Sequence, residues 1–150
     1  ERRTALLPAL RLAQREVGWL PREAIEEVAD LVGVDPNACL ALVSFYDLLY
    51  GEPVGKHVLG VCDGLACHLL GASRLIEHLS KRLGIQLGET TPDGLFTLRT
   101  FECLADCIHA PCMLMNDDYI GNLTEEKLDA LIEEARARAN GKSPVSGGTS

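Results

Sequence analysis

Two stretches decide the fold: His57-Val-Leu-Gly-Val-Cys62-Asp-Gly-Leu-Ala-Cys67 and Phe96-Thr-Leu-Arg-Thr-Phe101-Glu-Cys103-Leu-Ala-Asp-Cys107. Each opens with a short apolar or alternating run that reads as a strand, and each strand runs directly toward a pair of cysteines. Between them Leu69, Ala72, Ile76, Leu79 and Leu83 recur at spacings of three and four and stop at Gly84, the pattern of an amphipathic helix with a glycine cap. Strand, helix, strand is a crossover unit, and a crossover makes its two strands parallel. Both strands then end at the same edge of the sheet, where ligands gather in α/β folds. Topology alone therefore brings two sequence-distant cysteine pairs together.

Upstream, the chain reads as helices. Leu6 to Val17 is apolar-rich and ends at Gly18-Trp19. Pro21 suits a first helical position, Ile25, Val28, Ala29 and Val32 follow on one face, and Gly33 closes that helix. Asp35-Pro36 predicts an N-cap and first position for a third helix reaching toward Tyr46. Gly51-Glu-Pro-Val-Gly55 is a natural boundary. Downstream, Cys112–Met115 and Tyr119–Ile120 predict two further strands across the turn Asn116-Asp-Asp118. A last helix, capped by Thr124, turns Leu128, Leu131, Ile132 and Ala135 to one side. The expected organisation is an α/β protein with a helical segment over residues 1–53, an α/β domain over 54–140 and a flexible tail over 141–150.

Composition narrows the function. The chain has 150 residues, a net charge of −8 and only 5% aromatic residues, so neither the charge nor the stacking surface for nucleic acid is present. No apolar run approaches the ~18 residues that span a bilayer, which predicts no direct membrane insertion. There is no G-x-G-x-x-G after a strand and no phosphate-binding loop, so any nucleotide is expected on a partner.

Six cysteines stand out: Cys39, Cys62, Cys67, Cys103, Cys107 and Cys112. Disulfide-dense scaffolds are small, loop-rich and secreted, whereas this chain is helical and shows no export signal; clustered thiols then point to metal or redox chemistry. Cys39 lies in an apolar helical stretch and reads as core. The pairs Cys62-x4-Cys67 and Cys103-x3-Cys107 are wider than the C-x2-C knuckles usual for structural zinc. They suit a two-iron centre, which takes four thiolates. Spacing favours iron–sulfur and leaves a zinc-stapled interaction module open. A thiol oxidoreductase would need C-x-x-C, which neither pair supplies. A Rieske centre would need two histidines in place of two cysteines; His68 and His109 are adjacent to the pairs, but all four cysteines are present.

With these motifs in place, the chain resembles the thioredoxin-like [2Fe-2S] ferredoxins, and among them the small [2Fe-2S] subunits of NADH-oxidising modules such as that of respiratory complex I. Gly18-Trp19, Val43-Ser-Phe-Tyr46, Gly55-Lys-His57, Gly88-Glu-Thr-Thr-Pro-Asp-Gly94, Ala110-Pro111 and Asn116-Asp117 also match, over residues 5 to 135. The resemblance implies a thioredoxin-like βαββα domain holding one [2Fe-2S] cluster on Cys62, Cys67, Cys103 and Cys107. It implies one-electron exchange with the FMN of a partner flavoprotein that also binds NADH, the helical segment docking on that partner. It further implies a peripheral place on a membrane complex, at the cytoplasmic side of a bacterial inner membrane or the matrix side of a mitochondrial one. NAD-linked hydrogenases and formate dehydrogenases carry an equivalent diaphorase component, which is the alternative parent.

Two departures from the family pattern matter. Ala105 stands where the family has glycine; if that position needs a positive φ, its β-carbon is a cost. Cys112 stands where an apolar residue is usual. Cys107-x4-Cys112 offers an alternative pair, but Pro111 and the apolar residues that follow place Cys112 in a strand core. Asp63, Glu102 and Asp106 flank the candidate ligands with no Lys or Arg inside either motif, and are expected to hold a cluster potential low.

Overall fold

The computed structural model describes residues 2–141, so the expected tail lies, apart from Gly141, outside the described residues. The chain divides into two compact units, Glu1–Lys56 and His57–Ser150. The first is helical. A 3-10 turn at Arg2–Ala5 leads into α1 (Leu6–Val17), followed by α2 (Arg22–Val32) and α3 (Pro36–Phe45). Asp35 caps α3 by accepting the Asn37 N–H at 2.8 Å, and Gly33 ends α2 at φ 75°, as the sequence predicts. Pro21 differs: its extended backbone makes it the N-cap of α2 rather than its first residue. Each helix is too short to be stable alone, and burial of one shared stripe holds the three together. Leu6, Leu10, Leu20, Ile25, Val28, Ala29, Cys39, Val43 and Leu49 form that core, with Cys39 fully buried. Gln14 ties the segment after α3 back to α1: its amide donates to the Leu48 carbonyl and accepts the Tyr50 N–H.

The second unit is built on a four-stranded sheet in the order β2-β1-β3-β4, with β1 at His57–Cys62, β2 at Phe96–Phe101, β3 at Met113–Met115 and β4 at Asp118–Ile120. β1 and β2 are parallel, with His57 opposite Phe96 and Cys62 opposite Phe101. β3 runs antiparallel to β1, with Val61 opposite Met113, and β4 pairs antiparallel with β3 through a two-residue turn at Asn116–Asp117. Asn116 adopts φ 57°, which asparagine tolerates, and its side-chain oxygen accepts the Val58 N–H. The outer edge of β2 is not bare. Residues 88–94 fold over it: the Gly88 N–H donates to Leu98 O, the Leu98 N–H to Glu89 O and the Thr91 N–H to Phe96 O. Under that flap Thr97 is buried, its hydroxyl bonded to that of Thr90 at 2.7 Å.

The crossover is two helices, not one. α4 (Leu65–Leu69) ends at Leu70, Gly71 turns the chain at φ 94°, and α5 (Ala72–Leu83) follows. Leu69, expected on the buried stripe, is therefore exposed, and the stripe is Ala72, Leu75, Leu79 and Leu83. Ile76 is only half-buried. Helix α5 packs on β1 and β2, and α6 (Glu125–Ala139) packs on α5. Thr124 caps α6 by accepting the Lys127 N–H, and Leu128, Ile132 and Ala135 are its buried residues, with Leu131 half-buried at its margin.

An ion network joins α5 to α6. His78 Nε2 lies 2.8 Å from Asp129 Oδ1, and Arg82 Nε lies 3.2 Å from the same oxygen. The hydrogen bond from His78, with help from Arg82, holds the Asp129 carboxyl below its usual range. A depressed carboxylate contributes stability above its unfolded-state pKa and loses it as pH falls through the folded value. Asp129→Asn is therefore expected to lower Tm at neutral pH, and thermal scans should show the gap to wild type closing in acid. Equal Tm values at pH 7 would rule this clamp out.

Candidate metal centre

Both cysteine motifs leave the sheet at the same edge. Cys62 is the last residue of β1, and Cys67 lies one turn into α4; Cys103 follows β2 by two residues, and Cys107 opens a 3-10 turn at Cys107–His109. The parallel register sets Cys62 opposite Phe101, and the Asp63 N–H donates to the Phe101 carbonyl at 2.8 Å, so the loops begin side by side. They stay in contact at Gly64. A β-carbon there would sit 3.0 Å from Glu102 O, 3.5 Å from Cys62 Sγ and 3.9 Å from Cys103 Cα. Glycine lets the two loops close on each other.

Backbone donors point at the sulfurs. Burial pushes the Cys62 thiol up, but N–H groups of Gly64 and Leu104 and the neighbouring thiols outweigh it, leaving its pKa below the ordinary value. The Ala105 N–H donates to Cys103 Sγ at 3.4 Å. Ala105 adopts φ 57°, so the position where the family has glycine does require the left-handed region. That conformation costs a β-carbon-bearing residue roughly 1 kcal/mol. Ala105→Gly is expected to raise stability by about that amount, read as a higher Tm of the purified chain. A lower Tm would contradict a left-handed residue there.

Of the four cysteines expected as ligands, the structure brings the sulfurs of Cys62 and Cys67 together in the interior, while Cys103 and Cys107 lie exposed on the adjoining loop. A third sulfur joins the first two. Cys62, Cys67 and Cys112 have Sγ atoms all within 4.8 Å of one another, and Cys67 and Cys112 are 3.8 Å apart. Cys112 is fully buried, as expected, but it precedes β3 instead of starting it, and it is more than packing. The antiparallel register places it opposite Cys62, whose N–H donates to its carbonyl at 3.0 Å. Burial, reinforced by Cys67, pushes the Cys112 thiol up to about 12, and burial raises Cys67 as well.

His68 and His109 turn to oxygen partners close by in sequence. His68 Nδ1 lies 3.1 Å from Ser73 Oγ and 3.7 Å from Asp63, and His109 Nδ1 lies 2.7 Å from Asp106 Oδ1. The donors gathered here are thus soft cysteine sulfurs, with amide N–H groups on those of Cys62 and Cys103. It fits an iron–sulfur group, which takes four thiolates and is tuned by such hydrogen bonds.

A family model of the thioredoxin-like [2Fe-2S] ferredoxins matches residues 1–136. The chain belongs to that family. The family's thioredoxin-like domain is the second unit described above, with helices before it. Among curated relatives, a subunit of the NADH-quinone oxidoreductase of Rhizobium meliloti (strain 1021) is 50% identical over 137 residues, covering 91% of this chain and 82% of the relative. A second, from the NADH-quinone oxidoreductase of Thermus thermophilus, is 44% identical over 137 residues, covering 91% and 76%. A third, from the same-named complex of Escherichia coli (strain K12), is 37% identical over 131 residues, covering 87% and 79%. Among solved structures, the air-oxidised NAD+-reducing [NiFe]-hydrogenase superposes with a TM-score of 0.76 at 29% identity over 89% of this chain. The chain spans 23% of that hydrogenase chain, so in the hydrogenase this fold is one part of a longer polypeptide.

Proposed function

We propose that this ferredoxin is the small electron-transfer component of an NADH-quinone oxidoreductase, carrying one [2Fe-2S] cluster on Cys62, Cys67, Cys103 and Cys107 and exchanging an electron with the FMN of a partner flavoprotein. The observation that carries the reading is the parallel pairing of β1 with β2, which delivers both cysteine motifs to one sheet edge. Relatives named as subunits of that oxidoreductase, at up to 50% identity, support the parent complex. The likeness to an NAD+-reducing hydrogenase favours a diaphorase component as the second reading.

When bound, the cluster supplies reversible one-electron redox chemistry. The chain's own part is to hold and shield it. Gly64 keeps the loops close, and the N–H groups of Gly64, Leu104 and Ala105 offset negative charge on the sulfurs. Leu65, Leu69, Leu70 and Ile108, all exposed, form apolar shoulders on the cysteine-bearing elements, suited to exclusion of water once a partner covers them. The exposed Leu31 and Phe45 of the helical unit give residues 1–53 apolar points for docking on the flavoprotein. The relatives' place in an NADH-quinone oxidoreductase supports a peripheral position on the inner membrane's cytoplasmic side, or on the matrix side in a mitochondrion; no helix among the described residues is long and apolar enough to cross a membrane.

Purification of the tagged full chain from its host tests this reading. A brown protein with iron and acid-labile sulfide in equal amounts, co-eluting with a flavoprotein, is the expected result. A colourless chain with stoichiometric zinc would replace it with the zinc-stapled module. A narrower expectation concerns Asp106, whose carboxylate lies between the second-loop cysteines in sequence and is largely covered. Losing one nearby negative charge eases reduction by roughly 1 kcal/mol, or about 40 mV for one electron. Asp106→Asn should raise the midpoint in a redox titration by that order, and an unchanged midpoint would remove Asp106 from potential tuning.

A further inference from the structure

The cluster reading uses Cys62 and Cys67 and leaves Cys112 without a role. Yet three sulfurs, not two, converge at the end of β1. They come from three fixed elements: Cys62 from β1, Cys67 from α4, and Cys112 from the entry to β3. The backbone bond from Cys62 N–H to Cys112 O locks two of these positions. A soft ion with metal–sulfur bonds of about 2.3 Å sets its thiolates about 3.8 Å apart in a tetrahedron. Cys67 and Cys112 already stand at 3.8 Å, and the whole trio lies within 4.8 Å, so side-chain adjustment on the order of an ångström completes the triangle. The trio is buried, which strips water from an entering ion and favours soft sulfur over hard oxygen ligands.

We propose that Cys62, Cys67 and Cys112 form a second, mononuclear site in the cluster-free chain, binding one soft closed-shell cation of the zinc and cadmium class through three thiolates. The inference rests on the four-cysteine cluster reading in one respect: Cys62 and Cys67 are shared, so the single ion and the cluster exclude each other. Binding releases the thiol protons and involves no electron transfer. An ion in this site therefore blocks cluster insertion until it is removed, and Cys112 sets how tightly the block holds.

The test uses the full-length, cluster-free, reduced chain titrated with cadmium, read by its ultraviolet sulfur-to-cadmium charge-transfer band. Wild type and the Cys103→Ser/Cys107→Ser double variant should each bind one ion with equal affinity, since neither change touches the trio. Cys112→Ser should lose about a third of the band and at least tenfold in affinity, with Cys112→Ala run beside it because the site is buried, and far-ultraviolet dichroism confirming the fold of each. Cadmium-loaded wild type should resist iron–sulfur reconstitution, while Cys112→Ser reconstitutes at the same cadmium level. Unchanged affinity in both Cys112 variants, or loss of binding in the double variant, overturns the site. Failure of the cluster reading is read separately, as absence of the visible band in cadmium-free Cys112→Ser.

Discussion

Serine at Cys103 or Cys107 is expected to abolish the visible charge-transfer spectrum of the purified chain, while serine at Cys112 or Cys39 leaves it in place. The contrast is demanding, because by position alone Cys112 is the better candidate: its sulfur is 3.8 Å from Cys67, whereas Cys103 and Cys107 are exposed. The argument for the exposed pair is topological and electrostatic. A two-iron centre takes two thiolates on each iron, so it needs two pairs that face each other, not three sulfurs around one point. On the proposed reading the loops after β1 and β2 supply such pairs, and the Ala105 N–H already donates to Cys103 Sγ. A serine oxygen is a harder and far less acidic ligand than a cysteine sulfur, so each substitution removes a bond that nothing nearby on that loop replaces. Absorption spectra and iron content of the four variants decide it. Colour lost in Cys112→Ser and kept in Cys107→Ser would move the cluster onto the buried trio.

Much of this was legible in the sequence because it depends on local chemistry. Asp35, Gly33 and Thr124 each sit where capping rules place them, and the crossover rule alone makes β1 and β2 parallel. The conditional cost at Ala105 could be stated in advance, since only the sign of φ was missing. What escaped depends on long-range register. Periodicity carried Leu69 onto the α5 stripe because Gly71, a lone glycine in a helical pattern, gives no sign of whether it bends or breaks the helix. Cys112 read as ordinary core because its place opposite Cys62 follows from the antiparallel pairing of β3 with β1, two strands far apart in the chain. The available signal was weak but real: an X-Pro-Cys entry to a strand, in a chain whose first two strands also meet cysteines at their ends.

Gly60→Ala is expected to destabilise the second unit by about 3 kcal/mol, the upper end of what overpacking costs, and to impair cluster loading with it. Gly60 lies in the middle of β1, opposite Arg99 of β2 and Leu114 of β3, where a side chain would normally be welcome. Here the space is taken. A β-carbon would stand 1.9 Å from Cε2, 2.5 Å from Cδ2 and 3.0 Å from Cζ of the Phe101 ring. Phe101 is 7% exposed, so its ring cannot yield without uncovering itself or displacing its neighbours. Phe101 also anchors the second cysteine loop: its carbonyl accepts the Asp63 N–H, and Glu102 and Cys103 follow it directly. Displacing the ring therefore moves Cys103 relative to Cys62, which is why a methyl group on a central strand should reach the metal centre. For a domain of this size the stability loss corresponds to a Tm lower by on the order of 10–20 °C. Trimming the obstacle supplies the control. Phe101→Leu should cost stability in the wild-type background but less in Gly60→Ala, a coupling of opposite sign to the single effects. If Gly60→Ala melts within a degree or two of wild type and takes up iron normally, the ring does not occupy that space and the link from β1 to the second loop is not the one described.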